Sequence, residues 1–155
     1  MTRRNWKREV PRPLSHAMEL CIAHARDKKN LSVDNIADLM GLANKWMLYK
    51  WTESGRMPAI LIRPFEHACD CSFMTQYIAT SNNKMLVDIP KGRKVEGSEL
   101  LKLQTELNDA VNLLARFYQG GAEAEETIGA LTKVMEGIAG HRANVSKAMT
   151  PELPL

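Results

Sequence analysis

The sequence lacks a long run of apolar residues. No stretch approaches the roughly 20 apolar residues that a helix needs to cross a bilayer. The N-terminal residues MTRRNWKREV also lack the apolar centre of a secretory signal. We therefore expect a cytoplasmic protein that is not inserted in a membrane.

Motifs that carry catalysis are missing as well. The chain contains no GxSxG, no HExxH and no phosphate-binding GxxxxGK sequence followed by serine or threonine. No nucleophile stands out beside a base. We therefore predict no catalytic residue and a protein that is not an enzyme.

Cysteine is scarce and its spacing is unusual. The chain has three cysteines, an odd number that argues against a disulfide framework. His67, Cys69 and Cys71 lie in the segment HACDC, with Cys21 upstream, but a CxC pair on a helix points its sulfur atoms about 200° apart. We predict buried, reduced cysteines and neither a metal nor a cofactor. A zinc-dependent regulator is the alternative.

Aromatic residues are also few, at 6% of the chain, whereas methionine occurs nine times. With 45% hydrophobic and 25% charged residues, this composition indicates a mostly helical protein with a modest core. Charge is uneven: residues 1–94 hold 16 basic and 9 acidic side chains, net +7, and residues 95–155 hold 5 and 9, net −4. The division predicts a DNA-binding module joined to a protein-protein module, or an uneven solvated surface.

Two short helices joined by a glycine are predicted between Leu31 and Trp51. Ser32 or Asp34 can cap the first helix, whose apolar positions are Ile36, Ala37 and Met40. Gly41 tolerates the positive φ that ends a helix and lets the chain leave at a steep angle. The small side chain at Ala37 permits close approach of a second helix. This is a helix-turn-helix pattern, and a plain helical hairpin is the alternative.

The second helix is predicted from Ala43 through Trp51, with Met47 and Trp51 facing the core. The outward side chains suit a major groove, which takes an amide, a cation and an apolar or aromatic group. The predicted DNA contacts in this region are Ser32, Asn44, Lys45, Leu48, Tyr49, Lys50 and, in the exit loop, Arg56. Arg3, Arg4, Lys7 and Arg8 form a basic N-terminal arm that contacts phosphate or merely aids solubility.

These residues carry a resemblance to a known family. From about Leu14 to Ile89, and especially in IADLMGLANKWMLYKW, TESGRMP and PFEHACDCSFMTQYIA, the chain resembles the CII-type regulatory proteins of temperate phages and prophages. Residues that match the broader lambda-repressor-like pattern are Ile36, Ala37, Gly41, Leu42, Met47, Gly55, Arg56 and Pro58. Trp51 stands one position later than the tryptophan of that pattern, and Ala43 replaces its usual serine. The resemblance implies a lambda-repressor-like fold and a role in transcription regulation.

Further helices complete the predicted domain. A helix beginning at Leu14 buries Ala17, Leu20, Cys21 and Ala25 behind the helix-turn-helix. Two more are predicted, from after Pro64 through Cys69 and from Ser72 through Ala79, which makes five. The segment Met85 to Ile89 predicts a short strand. The predicted organisation is an arm at 1–13, a DNA-binding domain at 14–90 and a linker at 91–97.

The C-terminal part is predicted to be a helical hairpin over residues 98–149, followed by a tail at 150–155. Its first helix carries apolar residues at Leu100, Leu103, Leu107, Ala110, Leu114 and Phe117. After Gly120 and Gly121, the second carries Ile128, Leu131, Met135, Ile138, Val145 and Met149, with Arg142 in the same series. A hairpin cannot bury both series within itself, so it packs on the first domain or on other copies. Residues predicted to join a dimer or tetramer are Leu100, Leu103, Leu107, Leu114, Ile128, Leu131, Met135 and Ile138.

The sequence therefore predicts an all-α protein that binds double-stranded DNA as an oligomer and acts by occupying operators or promoters. The alternative is a helical adaptor whose helix-turn-helix only packs and whose hairpin engages a partner protein.

Overall fold

A computed structural model describes residues 5–6, 9–90 and 97–149 of the chain. The described residues form seven α-helices and no strand. In chain order these are α1 (Leu14–Lys29), α2 (Val33–Leu39), α3 (Trp46–Ser54), α4 (Ala59–Cys69), α5 (Phe73–Ser81), α6 (Gly97–Tyr118) and α7 (Ala124–Met149). The all-α prediction is confirmed. The described residues up to Leu86 form one compact unit, and those from Val87 onward form a second.

Helix α1 is the centre of the first unit and packs against α3, α4 and α5. It begins after Pro13, and its last turn carries Arg26, Lys28 and Lys29, cations that suit the negative end of a helix. The residues predicted for its buried face, Ala17, Leu20, Cys21 and Ala25, are all buried. Their neighbours in the core include Ile36 of α2, Leu48 of α3, Phe65 of α4 and Met74 of α5.

Helix α4 begins earlier than the sequence predicted. It starts at Ala59 and contains Pro64, whereas the sequence pattern predicts a start after Pro64. Pro64 removes one backbone donor, but it lies at an exposed position where water can satisfy the carbonyl group left over. The buried residues of α4, Phe65, Glu66, Ala68 and Cys69, all follow the proline.

A buried carboxylate links α4 to α5. Glu66 is 1% exposed, and its two carboxylate oxygens accept hydrogen bonds from the backbone N–H of Thr75 at 2.8 Å and from the Thr75 hydroxyl at 2.6 Å. Thr75 is the third residue of α5, whose first amides have no partner within the helix. Glu66 therefore caps α5 from the preceding helix.

The predicted strand is wrong. Residues 84–90, which include Met85 to Ile89, form neither helix nor strand. An extended segment needs a second segment to take its ladder of hydrogen bonds, and none of the described residues provides one. The β-branched residues Val87 and Ile89 therefore do not lie in a sheet within the described residues.

The second unit contains an antiparallel pair of helices. Helices α6 and α7 pack side by side and are joined by a short turn. The turn closes α6 with hydrogen bonds from Gly121 N–H to the Arg116 carbonyl at 2.8 Å and from Gly120 N–H to the Phe117 carbonyl at 2.9 Å. Gly120 has φ +77°, as a left-handed helix cap requires. Residues 91–96 of the predicted linker and the predicted tail at 150–155 lie outside the described residues.

Candidate DNA-binding surface

The first helix of the pair, α2, is closed at its N-terminus by Ser32. The Ser32 hydroxyl oxygen accepts from Asn35 N–H at 3.1 Å, while Asn35 Oδ1 accepts from Ser32 N–H at 3.0 Å and from the Ser32 hydroxyl at 2.7 Å. This reciprocal arrangement is a capping box with Asn35 in the place more often taken by glutamate. The capping role of Ser32 is confirmed, and its hydroxyl is already engaged.

The turn between α2 and α3 follows from Gly41. Gly41 has φ +68°, and its N–H donates to the Asp38 carbonyl at 3.0 Å. The next N–H, of Leu42, donates to the Ala37 carbonyl at 3.0 Å. These two bonds define a Schellman motif, which satisfies the last carbonyls of α2 and redirects the chain. Ile36 and Ala37 lie fully buried under the turn.

Helix α3 begins at Trp46, three residues later than predicted. The Asn44 side chain accounts for the difference, because its Oδ1 accepts from Trp46 N–H at 3.0 Å and satisfies an amide of the first turn. Residues 43–45 therefore belong to the turn. Asn44 is exposed, and its side-chain Oδ1 accepts from the first amide of α3.

The predicted orientation of α3 is wrong by about one residue. Leu48, predicted to face DNA, is fully buried, and Met47, predicted to face the core, is 43% exposed. Trp51 is 9% exposed, as expected of a core residue. Leu48 and Trp51 are three residues apart and share the inner face, whereas Met47 lies about 100° away from Leu48. Leu48 is therefore removed from the predicted DNA contacts.

The outward face of α3 is aromatic and apolar at its centre. Trp46 is 72% exposed and Tyr49 is 44% exposed, with ring centroids 5.7 Å apart. Lys50 lies exposed on the same helix. Trp46 and Met47 are not among the DNA contacts predicted from the sequence. The sequence spacing could have identified Trp46, since it lies three residues before the predicted contact Tyr49 and residues at that spacing are neighbours on a helix.

Two carboxylates of α2 lie beside this face. Lys45 Nζ donates to Asp38 Oδ2 at 2.9 Å, and the Tyr49 hydroxyl donates to Asp34 Oδ1 at 3.3 Å. The hydrogen bond to Asp38 raises the pKa of Lys45 above its usual value, so this ammonium stays charged. The negative charge of Asp38 also offsets part of the positive electrostatic potential of Lys45. The surface around α3 is therefore mixed in charge.

The exit from α3 follows the predicted Gly-Arg-Met-Pro segment. Gly55 has φ +68°, and its N–H donates to the Trp51 carbonyl at 2.7 Å. A side chain at this position would also meet the backbone nitrogen of Ser15 at 3.4 Å. Arg56 is exposed and Met57 is buried. The loop therefore directs Arg56 outward, as a phosphate contact requires.

Four predicted contacts of the N-terminal arm, Arg3, Arg4, Lys7 and Arg8, lie outside the described residues. Trp6, between them, contacts the first unit. Its indole N–H donates to Asp27 Oδ2 at 2.7 Å, and its ring lies 5.2 Å from the His24 ring and 6.2 Å from the Phe73 ring, centroid to centroid. Trp6 thus anchors this part of the arm on α1 and the start of α5.

The cysteines are reduced, with Cys21 and Cys69 buried and Cys71 half-buried. A hydrogen bond with the Cys71 thiol, together with burial, raises the pKa of Cys21, and burial raises the pKa of Cys69. His67 is exposed. Over the described ranges, no group of three or more histidine, cysteine, aspartate or glutamate side chains is arranged to hold a metal ion.

The residues predicted for oligomerisation divide into two sets. Leu103, Leu114, Leu131 and Met135 are half-buried. Leu100, Leu107, Ile128 and Ile138 are 43% to 63% exposed. Leu103 lies against Gly137 within the hairpin, whereas the second set remains on the hairpin surface.

Comparison with protein-family models, curated proteins and solved structures yields no match to this chain. The resemblance to the CII-type regulators stays a prediction from the sequence. Within the described part of the chain, no helix combines the length and the apolar character needed to span a membrane.

Proposed function

We propose that this protein is a sequence-specific double-stranded DNA-binding regulator of the phage or prophage type that acts as an oligomer. The observation that carries the proposal is the exposed outer face of α3. Trp46, Met47 and Tyr49 are all more than two-fifths exposed on the second helix of the pair. A second helix held outward by a tight turn is what insertion into a major groove requires.

The side chains on this face suit base edges. Lys45 offers a cation for guanine, and the side-chain NH₂ of Asn44 offers a donor for adenine while Asn44 Oδ1 accepts from Trp46 N–H. Trp46 and Met47 offer apolar contact to thymine methyl groups, the part that Leu48 was predicted to supply. In this proposal Tyr49 lies beside Trp46, and Arg56 in the exit loop contacts phosphate.

Long-range electrostatics support the proposal, although local charge limits it. Residues 1–94 carry a net charge of +7, which favours an encounter with a polyanion. Asp34 and Asp38 lie beside α3, so the salt dependence of binding should come mainly from Arg56, Lys50 and the basic arm. The base contacts should then depend strongly on the apolar side chains.

The regulatory role in this proposal comes from the resemblance to the CII-type proteins. Occupancy of an operator or promoter is its mechanism, and neither cofactor nor metal takes part. A single helix-turn-helix contacts only a few base pairs, so joining copies through the hairpin would sum contacts over repeated half-sites.

Selection of bound duplexes from a random library, using the full chain, tests the proposal directly. We expect an enriched sequence whose binding weakens as salt rises. Lys45→Ala should then lower affinity by about 1 to 3 kcal/mol if Lys45 contacts a base. Lys84→Ala, an exposed cation after α5, is the matched control and should change affinity little. No enrichment and no salt-dependent binding would exclude the proposed function.

A second candidate function is supported by an apolar groove beside the same helices. Leu31, Leu39, Met40, Pro64 and Ala68 line a groove of about 530 Å³, with Lys29 and His67 also lining it. Leu39 is 64% exposed. A groove of this kind suits an apolar segment of a partner protein, as expected of a helical adaptor. An adaptor would show no salt-dependent duplex binding and no response to Lys45→Ala.

A further inference from the structure

The hairpin has an inner face, which the contacts between α6 and α7 define. Glu106 Oε1 pairs with Lys133 Nζ at 3.0 Å. A side chain at Gly137 would lie 2.9 Å from Leu103 Cδ1, so the helices approach closely there. Ala110 and Val134 are 1% and 5% exposed. These residues mark the direction in which each helix faces the other.

A second apolar stripe runs along α6 outside this inner face. It comprises Leu100, Leu107, Val111 and Tyr118, which are 55%, 43%, 54% and 79% exposed. Their spacing of seven, four and seven residues is that of a heptad seam. At about 100° per residue, the stripe lies roughly a quarter turn from the inner face, in the direction in which the helix winds.

Helix α7 carries an equivalent stripe. Ile128, Ile138, Val145 and Met149 are 63%, 48%, 64% and 81% exposed, and the half-buried Leu131 and Met135 lie between the first two. This stripe also lies roughly a quarter turn from the inner face, again in the direction in which the helix winds.

The two stripes lie on the same side of the hairpin. Each stripe is displaced from the inner face by a quarter turn in the direction in which its own helix winds, and both helices are right-handed. Because α6 and α7 run in opposite directions, the two displacements turn toward one common side. The stripes therefore form one continuous surface, which we call the hairpin face. Arg142 is the only charged residue in either stripe.

The size of the hairpin face favours an interface. Its eight exposed side chains are 43% to 81% exposed. At roughly 150 Å² for a large side chain, they leave on the order of 700 Å² of apolar surface uncovered. That area is close to one partner's share of a standard stable interface, roughly 800 Å². It exceeds the largest apolar patch of a typical monomer, which covers roughly 300–600 Å².

We propose that a second copy of this chain covers the hairpin face, so that two hairpins pack face to face as a two-fold symmetric four-helix bundle. The hairpin face is nearly free of charge, so it is complementary to the same face of a second copy. Apolar side chains of one heptad seam insert between those of the other. A two-fold axis places the same patch on both partners. The inference rests on the oligomeric part of the proposed function and names the surface that joins the copies.

Light scattering of the full chain over a wide range of concentration tests this inference without DNA. The wild type should be dimeric at high concentration. Leu107→Glu should weaken association by roughly 100-fold or more, because it places an unpaired carboxylate in the apolar interface. Leu101→Glu is the matched control: Leu101 is 68% exposed on the same helix, but it lies about 100° beyond the stripe.

Ile138→Glu on α7 provides a second variant, in case Leu107→Glu disturbs the fold, and circular dichroism checks the helix content of each. It should also yield monomers. A wild type that stays monomeric, or glutamate variants of the stripe that associate as well as Leu101→Glu, would overturn the inference. Association that persists while duplex binding is absent would exclude the proposed DNA function and leave the interface standing.

Discussion

Adjacent side chains of α3 have opposite environments, and this contrast permits a direct test of the helix orientation. Leu48 is fully buried and Met47 is 43% exposed. Leu48→Ala should lower the free energy of unfolding by about 2–5 kcal/mol, because it removes apolar contacts and leaves a cavity. Met47→Ala should change it by no more than about 0.5 kcal/mol. Urea unfolding of the two variants measures both values, and equal losses would contradict the orientation.

The ion pair between Lys45 and Asp38 bears on affinity for nucleic acid. Its atoms are 2.9 Å apart, and the two side chains are 44% and 57% exposed. Asp38→Asn should tighten duplex binding by up to about 5-fold, because it removes a negative charge beside the proposed contact face and frees the Lys45 ammonium. Fluorescence anisotropy should show the larger effect at low salt, since salt screens exposed charges.

Asp70→Asn is the control for that measurement. Asp70 also forms an exposed ion pair, with Lys29 at 3.4 Å, and it belongs to the same unit. Both variants raise the net charge by one, so only the difference between them reports a local effect at α3. Equal tightening in the two variants would show that Asp38 acts through net charge alone.

At the scale of the elements, two glycines should respond oppositely to the same substitution. A side chain would meet open space at both Gly41 and Gly129, but Gly41 has φ +68° in the turn after α2, whereas Gly129 lies within α7. Gly41→Ala should cost about 1 kcal/mol of stability, because alanine disfavours the left-handed region. Gly129→Ala should add about 0.5–1 kcal/mol, because alanine is the better helix former.

Thermal or urea unfolding of each glycine variant against the wild type gives the signs. Two losses of similar size would contradict the gain in helix stability expected at Gly129. Two gains would mean that the turn after α2 does not need a left-handed residue.

Local rules predicted most of the elements. Glycine and capping signals located the end of α2 and the exit from α3, because φ at Gly41 and Gly55 is fixed by bonds within a few residues. The face of α3 could not be obtained in this way. The buried face of α3 depends on the residue at which the helix begins, and Asn44 Oδ1 accepts from the N–H of that first residue, Trp46. A shift of one residue is enough to exchange the buried Leu48 for the exposed Met47.

Tertiary context decided the remaining differences. Pro64 predicted a helix start, yet α4 continues through it, since the buried face follows the proline and the proline itself is exposed. Residues 85–89 have strand-forming side chains but no pairing partner among the described residues. Glu66 gave no sequence signal, because the helix that it caps begins seven residues later in the chain.

At the scale of the whole molecule, the proposed function needs both DNA binding and oligomerisation, which are assigned to different parts of the chain. Net charge is +7 over residues 1–94 and −4 over residues 95–155, so attraction to DNA is expected of the first part and repulsion of the second. In the proposed function, the hairpin contributes to DNA affinity by holding copies together rather than by contacting DNA.

Leu107→Glu should therefore change binding to one kind of duplex and not another. On a duplex with a single half-site, the variant and the wild type should bind alike, because α3 is unaltered. On a duplex with two half-sites, the wild type should bind about 100-fold or more tightly than the variant, because the second contact of a dimer is intramolecular. Leu101→Glu should match the wild type on both duplexes. Equal losses for Leu107→Glu on both would instead indicate damage to the first unit, whereas no loss on either would separate oligomerisation from DNA affinity.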